Sequence, residues 1–453
     1  MNDIYITAYG ATNYVGRSAF LLYDRDHRIL LDCGLQLIPK KPTVAPEGVN
    51  SVAKKLDAVV LSHAHFDHSG YLPRLVREGY KGQFFMTKPT RDVAYYLWLD
   101  HLKIEGNRHW SEADLDEMYR RIVTVNYHKK IKLADGISAQ FLNAGHIIGA
   151  SQILIDWEGT LILYSGDIND RITPLFDGYE TPPDDDIELL ITESTNGNRY
   201  VPERAHVDVG FRMLAKQIAE AGNKFILPSF AVGRSQELLI TLALDPSLDH
   251  IPIYVDGMID VMNQVTEAYL SKRWVSERFF DQLREQGLRS PFDKENIISI
   301  RESSTNPHKL RRLISTSNNG AIIVTTSGMM EGGPIHTYLD YCASKEENVI
   351  GITGYQVEGT TGREVADGER EITIYGHHTK SKKIQIKAKV MKFPYSGHSS
   401  VEGLKKYMEL AQARKVVMVH GEERNQEYIR NFVRGVANPN ILKEGLPTLL
   451  IRA

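Results

Sequence analysis

The chain has 453 residues, of which 42% are hydrophobic and 25% charged, and its formal net charge at pH 7 is -3. This length accommodates two or three domains with large cores. The near-neutral charge excludes a uniformly basic nucleic-acid-binding surface, although it allows a local basic groove.

Two further features narrow the class of protein. Cys33 and Cys342 lie far apart and outside any Cys-x-x-Cys motif, so we expect no disulfide framework and a reducing, cytoplasmic environment. The first seven residues carry an acid but no Lys or Arg, unlike a signal peptide. Because no run of about 18 apolar residues occurs, we expect no membrane span.

The N-terminal part of the chain alternates short apolar runs with turn residues, which predicts stacked strands. Strands are predicted at 4–8, 19–23, 28–32, 58–61, 136–142, 151–156, 160–164 and 189–192. Helices are predicted at 72–78, 91–104 and 113–123.

After residue 196, strands and helices alternate, which predicts a parallel α/β layer. Short strands return at 371–375, 383–388 and 390–393, followed by a helix at 401–413, a strand at 415–419 and a final helix. We therefore expect an α/β protein with a β-rich domain over 1–196 and 362–453, interrupted by a parallel α/β insertion over 197–361.

The strongest indication of metal binding is a dense cluster of potential ligands directly after an apolar strand, His63-Ala64-His65-Phe66-Asp67-His68. His63 and His65 are two residues apart and point the same way from an extended segment. Asp67 and His68 lie at the turn into the next helix and can face a second metal. Zinc accepts His nitrogen and Asp oxygen; the alternative reading is a His-rich surface turn.

Three more potential ligands follow apolar strands and have glycine neighbours, which let the backbone approach closely: His146, Asp167 and His420. Asp167 is well placed to bridge two cations. Taken alone, His146 reads equally well as a satisfied buried histidine. Asp32, after another apolar strand, is expected to orient a ligand histidine or to serve as an ordinary turn residue.

These residues, in this order, resemble the motifs of the metallo-β-lactamase superfamily. The resemblance implies an αββα sandwich with two zinc ions at the strand edge. By the same resemblance His63, His65 and His146 hold one zinc, Asp67, His68 and His420 hold the other, and Asp167 bridges them.

A second set of segments is similar to the β-CASP group of nucleic-acid-processing nucleases, and the likeness covers essentially the whole chain. It includes 15–18, 191–195, 228–237, 326–334, 354–360, 396–399 and 419–422. Motifs A, B and C match Glu193, His398 and His420, and a histidine at motif C is typical of RNA-directed members. The chain most resembles stand-alone archaeal and bacterial relatives of the nuclease subunit of the cleavage and polyadenylation specificity factor.

The sequence departs from this group at two motifs. Relatives often read Glu-Ser-Thr-Tyr-Gly-Asp at motif A, whereas Asn196 and Asn198 stand here. At motif B they often read Ser-Ala-His-Ala-Asp, whereas this chain has Ser-Gly-His-Ser-Ser. Both departures spare the metal ligands and concern substrate positioning and the tuning of His398.

Phosphodiester hydrolysis needs an activated water, charge neutralisation and a proton for the leaving oxygen. Asp67 or Asp167 is expected to hold the attacking group, His398 to act as general acid, and Glu193 to orient His398. The alternatives are substrate orientation alone for His398 and a strand-end cap for Glu193.

Contacts to the substrate are predicted from weaker signals. A Gly-rich turn before a helix predicts a phosphate-binding nest at Ser327, Gly328, Gly332 and Gly333, and Ser229 and Arg234 are expected to touch the RNA backbone. The basic run over 377–392 is expected to bind along the RNA backbone or, equally, to form a solvated hairpin whose exposed edge carries lysines that prevent pairing with other strands.

We therefore predict a zinc-dependent ribonuclease, acting as endonuclease, 5′-exonuclease or both in RNA processing or decay. The resemblance also implies a homodimer. The alternatives are a small-molecule metallo-hydrolase, such as a thioesterase or lactonase, and a non-catalytic scaffold subunit. The long insertion disfavours the first, and the complete set of ligands disfavours the second.

Overall fold

A computed structural model describes residues 2–375 and 381–452 of the chain. The chain divides into two compact units. The first comprises Met1–Arg171, Asp177–Tyr200 and His398–Ala453, and the second comprises Ile172–Phe176 and Val201–Gly397. Among the described residues, none of the helices combines the length and apolar character that a membrane crossing requires.

The described residues up to 200 form eleven strands and four α-helices of the first unit. The strands are β1 (Ile4–Ala8), β2 (Phe20–Tyr23), β3 (Arg28–Leu31), β4 (Ala58–Val60), β5 (Gln83–Thr87), β6 (Ile122–Val125), β7 (Ile131–Ala134), β8 (Ile137–Asn143), β9 (Ser151–Trp157), β10 (Thr160–Tyr164) and β11 (Ile187–Glu193). The helices are α1 (Phe66–Ser69), α2 (Leu72–Arg77), α3 (Lys88–Glu105) and α4 (Glu112–Arg120).

The second unit is an α/β layer. Its helices are α5 (Arg204–Glu220), α6 (Arg234–Ala243), α7 (Ile259–Ala268), α8 (Glu277–Glu285), α9 (Ile300–Ser303), α10 (Pro307–Thr316), α11 (Ile335–Cys342) and α12 (Thr361–Ala366). Its strands are β12 (Lys224–Pro228), β13 (Ile253–Asp256), β14 (Ile297–Ser299), β15 (Ala321–Thr325), β16 (Val349–Ile352), β17 (Glu371–Ile374), β18 (Lys382–Gln385) and β19 (Lys389–Lys392).

The chain then returns to the first unit with two helices and three strands. These are α13 (Val401–Ala411), β20 (Lys415–Val419), α14 (Glu423–Phe432), β21 (Asn440–Ile441) and β22 (Thr448–Ile451).

Two seven-stranded sheets form the first unit, in the orders β22-β1-β2-β3-β4-β5-β6 and β21-β20-β11-β10-β9-β8-β7. Side chains of the two sheets meet: the Phe20 and Tyr164 rings lie 5.8 Å apart, and Trp157 Nε1 donates to Asp24 Oδ2 at 3.1 Å. Helix α3 packs on β5 and β6 of one sheet, and α13 packs on β11 of the other. The first unit is therefore the expected αββα sandwich.

Each sheet of this sandwich changes from antiparallel to parallel pairing along its order. Strands β3, β4, β5 and β6 pair in parallel, as do β10, β11 and β20. Because neighbouring parallel strands end at the same edge of a sheet, the residues that follow β3 and β4, and those that follow β10, β11 and β20, are brought together.

The six-stranded sheet of the second unit, β14-β13-β15-β12-β16-β19, is parallel throughout. Alternate residues of β12 enter two different cores: Phe225 and Leu227 pack in one, and Ile226 packs in the other. A sheet buried on both faces explains why its strands read as continuous apolar runs.

The sequence placed the return to the first domain at residue 362, whereas the division into compact units places it at residue 398. The difference arises because β19 pairs in parallel with β16, so this late strand is the edge of the inserted sheet. Short strands alone do not reveal the sheet to which they belong. The sequence also extended a helix to 123, where Ile122 and Val123 instead begin β6.

Asp260, in the first turn of α7, is an acidic side chain buried in the second unit, with only 7% of its surface exposed. Its Oδ2 atom makes no hydrogen bond with any described residue. Burial, assisted by the carboxylates of Asp256 and Glu302 and opposed by a hydrogen bond from Ser299, raises its pKa from 3.8 to about 7.

We expect Asp260→Asn to stabilise the protein in a pH-dependent way. The raised pKa means that the folded state resists ionisation, so the wild type loses stability as pH rises from about 4 to about 7. Asparagine cannot ionise, so the gain in unfolding free energy should be larger at pH 8 than at pH 5 by about 2 kcal/mol. Urea unfolding at the two pH values measures it, with the exposed Asp293→Asn as control. An equal effect at both pH values would contradict the assignment.

Candidate metal centre

The segment 63–68 leaves the sheet after β4 and turns directly into α1. Its backbone is fixed at both ends: Ser62 N and Oγ each donate to the Asp32 carboxylate at 2.7 Å, and Ser69 N donates to His65 O at 2.9 Å. The chain therefore stays extended over His63 and His65 and becomes helical at Phe66. This change of conformation divides the potential ligands into two groups.

The first group joins His63 and His65 to His146 and Asp167. His65 Nδ1 lies 3.2 Å from His63 Nε2 and 3.0 Å from His146 Nε2. Asp167 Oδ2 lies 3.4 Å from His63 Nε2 and 3.8 Å from His146 Nε2. Burial lowers the pKa of His65 to about 4 and that of His63 well below 6.5, so both rings are neutral and able to bind a metal.

The second group contains Asp67, His68 and His420. His420 Nε2 lies 3.3 Å from His68 Nε2 and 3.2 Å from Asp67 Oδ2. His420 follows β20, and its position is fixed because its N–H donates to Ala11 O at 2.7 Å. A residue near the far end of the chain thus completes the group that Asp67 and His68 begin.

Asp167 contacts both groups. Its Oδ2 lies 3.3 Å from His68 Nε2, and its Oδ1 lies 3.2 Å from His420 Nδ1. Gly166 has a φ of +55°, and a Cβ there would come within 2.8 Å of Ser62 Cβ, so glycine is required for this approach. Burial acts to raise the pKa of Asp167, but His420, His68 and other imidazoles outweigh it and hold the pKa well below 3.8.

The donor set fits a bound divalent metal better than it fits a hydrogen-bonded core. His68 Nδ1 lies 2.7 Å from Asp32 Oδ2. Burial acts to lower the pKa of His68, but Asp167, Asp67 and Asp32 outweigh it and raise the pKa well above 6.5, so a cation at Nε2 would replace a proton held among carboxylates. The buried Oδ1 of Asp167 makes no hydrogen bond with any described residue. Imidazole nitrogen and carboxylate oxygen are ligands that zinc prefers, so metal use by this site is supported.

Asp32 lies just behind the second group and is fully buried. Besides the two groups of Ser62, its carboxylate accepts a hydrogen bond from Tyr164 Oη at 2.7 Å. Sequence reasoning did not identify Ser62 or Tyr164; the signal was their position at the ends of β4 and β10, where the ligands also lie. Its 2.7 Å contact with His68 Nδ1 fits the predicted role of orienting that histidine, which stays a prediction.

Glu193 and His398 form a pair beside Asp167. His398 Nδ1 lies 3.1 and 3.0 Å from the two carboxylate oxygens of Glu193, and Ile168 N donates to Glu193 Oε1 at 2.8 Å. Burial acts to lower the pKa of His398, but Glu193 and Asp167 outweigh it and raise the pKa to about 9. The histidine is therefore protonated at neutral pH.

Asn196, which stands where relatives often have tyrosine at motif A, contacts the loop of His398. Its Nδ2 donates to His398 O and to Ser399 O, each at 3.2 Å. The asparagine thus holds the loop that carries His398, next to the strand that carries Glu193.

Two residues of the second unit that are predicted to contact the substrate, Ser229 and Arg234, form contacts with other residues of that unit. Arg234 is buried, pairs with Glu237 and lies over the Tyr395 ring, and Ser229 Oγ donates to Leu227 O at 3.2 Å. Their role in RNA binding stays a prediction.

The predicted phosphate nest forms a closed turn. Ser327 N donates to Gly332 O at 3.3 Å, Met330 N to Ser327 O at 3.1 Å, and Glu331 N to Ser327 Oγ at 2.9 Å. These three N–H groups are therefore already used within the turn. Gly332 and Gly333 have φ values of +150° and +78°, and Gly328 lies so close to Phe230 that a Cβ would come within 2.8 Å of its N atom.

Part of the basic run, 376–380, lies outside the described residues. Of the remainder, Lys382 pairs with Asp340 at 2.5 Å and Lys383 pairs with Glu371 at 2.7 Å. These pairs fit the reading as a solvated hairpin, and tracking of RNA by the run stays a prediction.

The αββα sandwich with paired histidine and aspartate groups defines a metallo-hydrolase. Residues 20–184 match the family model of a metallo-β-lactamase superfamily domain, 235–365 that of a β-CASP domain, and 383–435 that of a Zn-dependent metallo-hydrolase RNA specificity domain. The chain belongs to the β-CASP group of the metallo-β-lactamase superfamily.

Relatives from Methanocaldococcus jannaschii are identical to this chain at about a third of the aligned positions. The transcription termination factor FttA is 33% identical over 439 residues, which cover 93% of this chain and 67% of the factor. An RNase J-like protein is 31% identical, with 91% of each chain covered, and a probable RNase, MJ4, is 32% identical, with 93% of this chain and 94% of the relative covered. The chain thus spans about two thirds of the length of the termination factor.

A solved structure of a protein of unknown function from Enterococcus faecalis is similar over 99% of this chain and 100% of that one, with a TM-score of 0.59 at 13% identity. At this identity the likeness concerns the fold.

We expect Asp32→Asn to weaken metal binding without removing a ligand. The amide cannot accept all of the hydrogen bonds that the carboxylate accepts, so His68 should lose its fixed orientation and zinc affinity should fall 10- to 100-fold. Competition with a zinc-binding dye measures this, and the half-exposed Asp57→Asn is the control. Unchanged affinity would show that Asp32 serves the turn alone.

Proposed function

We propose that this protein is a zinc-dependent ribonuclease that hydrolyses RNA phosphodiester bonds at a two-zinc centre. The observation that carries the proposal is the position of Asp167, which contacts both ligand groups and lies 3.9 Å from the protonated His398. One buried carboxylate thus joins the metal-binding residues to the proton donor. The RNA specificity domain at 383–435 and the relatives named as RNases support RNA as the substrate.

In this proposal His63, His65 and His146 would hold one zinc, Asp67, His68 and His420 would hold the other, and Asp167 would contribute to both. Two zinc ions bound there would lower the pKa of the attacking water and neutralise charge on the phosphate. Every other contribution comes from side chains of the chain.

Asp67 is suited to orient the attacking water. It is the most exposed carboxylate of the centre, with 28% of its side-chain surface accessible. Burial acts to raise its pKa, but His68 and His420 outweigh it and hold the pKa below 3.8. An ionised carboxylate accepts a hydrogen bond from water and so fixes its direction of attack.

His398 is suited to protonate the leaving oxygen. It carries a proton at neutral pH, and the Glu193 carboxylate holds its Nδ1, so Nε2 would deliver the proton. Glu193 is held in turn by the backbone N–H groups of Ile168 and Thr195, which makes it an orienting group.

The proposal also includes a homodimer and a cytoplasmic location. The dimer rests on the family resemblance alone. The location rests on cysteine usage, since Cys33 and Cys342 are both buried and unpaired.

We expect His65→Ala and Asp167→Ala to abolish RNA cleavage and to lower the zinc content, because each removes a ligand of the centre. A chelator should abolish wild-type activity, and added zinc should restore it. The substrate is an RNA labelled at one end that carries a 5′-monophosphate or a 5′-triphosphate. Mononucleotide release from the monophosphate form would indicate a 5′-exonuclease, and internal cuts in both forms an endonuclease.

The exposed His128→Ala serves as the control for this test. Full cleavage by zinc-free Asp167→Ala protein that has a wild-type circular dichroism spectrum would overturn the proposal. A zinc-loaded wild type that cleaves small esters but leaves RNA intact would favour a small-molecule hydrolase.

We expect His398→Gln to lower kcat by a factor of about 10²–10⁴ while zinc content and KM stay near wild type, because a general acid acts in the transition state. Glu193→Gln should lower kcat less, since it leaves the proton donor in place. A change confined to KM would show that His398 orients the substrate, the alternative reading of its motif.

A further inference from the structure

A third set of potential metal ligands lies in the first unit, on and just beyond α3. His101 and Glu105 are four residues apart and share one face of the helix. Gly106, with a φ of +59°, ends the helix, and His109 follows three residues later. One ring nitrogen of each histidine and one carboxylate oxygen of Glu105 lie within 4.8 Å of one another.

His101 is the member of this set that lacks a partner. It is 94% buried, since its exposed fraction is 6%, and its Nε2 makes no hydrogen bond with any described residue. A buried polar atom without a partner destabilises the folded state. Burial lowers the pKa of His101 to about 4 against the pull of Glu105, so the ring is neutral and one of its nitrogens offers a lone pair.

The other two ligands are held in place by neighbours. Thr43 N donates to Glu105 Oε1 at 3.0 Å, and Glu105 Oε2 lies 4.0 Å from His109 Nε2 and 3.7 Å from Arg108 Nε. Arg74 Nη1 donates to His109 O at 2.8 Å. Thr43 Oγ1 lies between the carboxylate and the ring, 2.8 Å from Glu105 Oε2 and 2.9 Å from His109 Nε2.

We propose that His101, Glu105 and His109 bind a further divalent cation of the zinc type, separate from the centre at 63–68. Two imidazoles and one glutamate are a set of three protein ligands that zinc accepts, with a hydroxyl or water in the fourth position. Ligand atoms of a tetrahedral zinc lie about 3.4 Å apart, so Glu105 and His109 must approach by roughly half an ångström. Thr43 supplies the hydroxyl or keeps its hydrogen bond to Glu105.

This cation is a structural one. The His101 ring lies 4.9 Å from the Phe66 ring and 5.4 Å from that of Trp110, and Trp110 Nε1 donates to Gly70 O at 2.9 Å. The cation would therefore join the end of α3 to the residues around α1, which carries Asp67 and His68. Its role is to hold that turn rather than to take part in the reaction.

The test uses the full chain, stripped of metal with a chelator and titrated with zinc alone. Glu105→Gln and His101→Gln are made both in the wild type and in Asp167→Ala, and the exposed Glu112→Gln is the control. We expect Glu105→Gln and His101→Gln each to lower the zinc content by about one ion per chain in both backgrounds. We also expect zinc to raise the Tm of Asp167→Ala protein but not that of the Asp167→Ala/Glu105→Gln double variant.

Diffraction at the zinc absorption edge locates the ion directly. We expect an anomalous peak among the three side chains in wild-type and Asp167→Ala crystals. Absence of that peak, or an unchanged zinc content in folded Glu105→Gln protein, would overturn the proposal. Glu105→Gln decides the matter if His101→Gln fails to fold, because glutamine keeps an acceptor for Thr43. The Asp167→Ala background separates this outcome from that of the two-zinc centre.

Discussion

The carboxylate of Asp32 is fully buried where β3 ends, and such a charge is tolerated only when it is fully hydrogen-bonded or paired. Its partners are Ser62, which follows β4, Tyr164, which ends β10, and His68, which lies in α1. One buried charge therefore joins both sheets of the sandwich to the turn that carries the ligands. Asp32 thus gives the ends of these strands a shared hydrogen-bond partner and holds Nδ1 of His68.

The ends of parallel strands also bring together the charged residues of the candidate metal centre. Asp167, Glu193 and His420 follow or end three neighbouring parallel strands, β10, β11 and β20, so the pairing of backbones alone brings them to one edge. Buried imidazoles and carboxylates then set each other's charge: the histidines keep Asp167 ionised, and Glu193 keeps His398 protonated. Acid and base forms thus coexist a few ångströms apart at one pH.

The sequence predicted which residues meet in this candidate site, because they are either contiguous, as in 63–68, or directly after apolar strands, as at Asp167; that they bind metal stays a prediction. The fold class and the family were predicted in the same way and are confirmed. The pairing of β19 with β16 was missed because pairing partners distant in sequence leave no local pattern. The set of His101, Glu105 and His109 was missed because a spacing of four residues on an amphipathic helix is common, and burial of one nitrogen is visible only in three dimensions.

The chain leaves the first unit at Tyr200 and returns at His398, close to the pair of Glu193 and His398. Glu193 ends the last strand before the departure, while His398 is the first residue after the return. Closing an excursion of this length costs conformational entropy that grows only slowly with length, and the hydrogen bonds of Asn196 to His398 and Ser399 hold the returning chain. Because Glu193 and His398 lie on either side of the insertion, the pair that we propose for proton transfer requires the two ends of the insertion to meet.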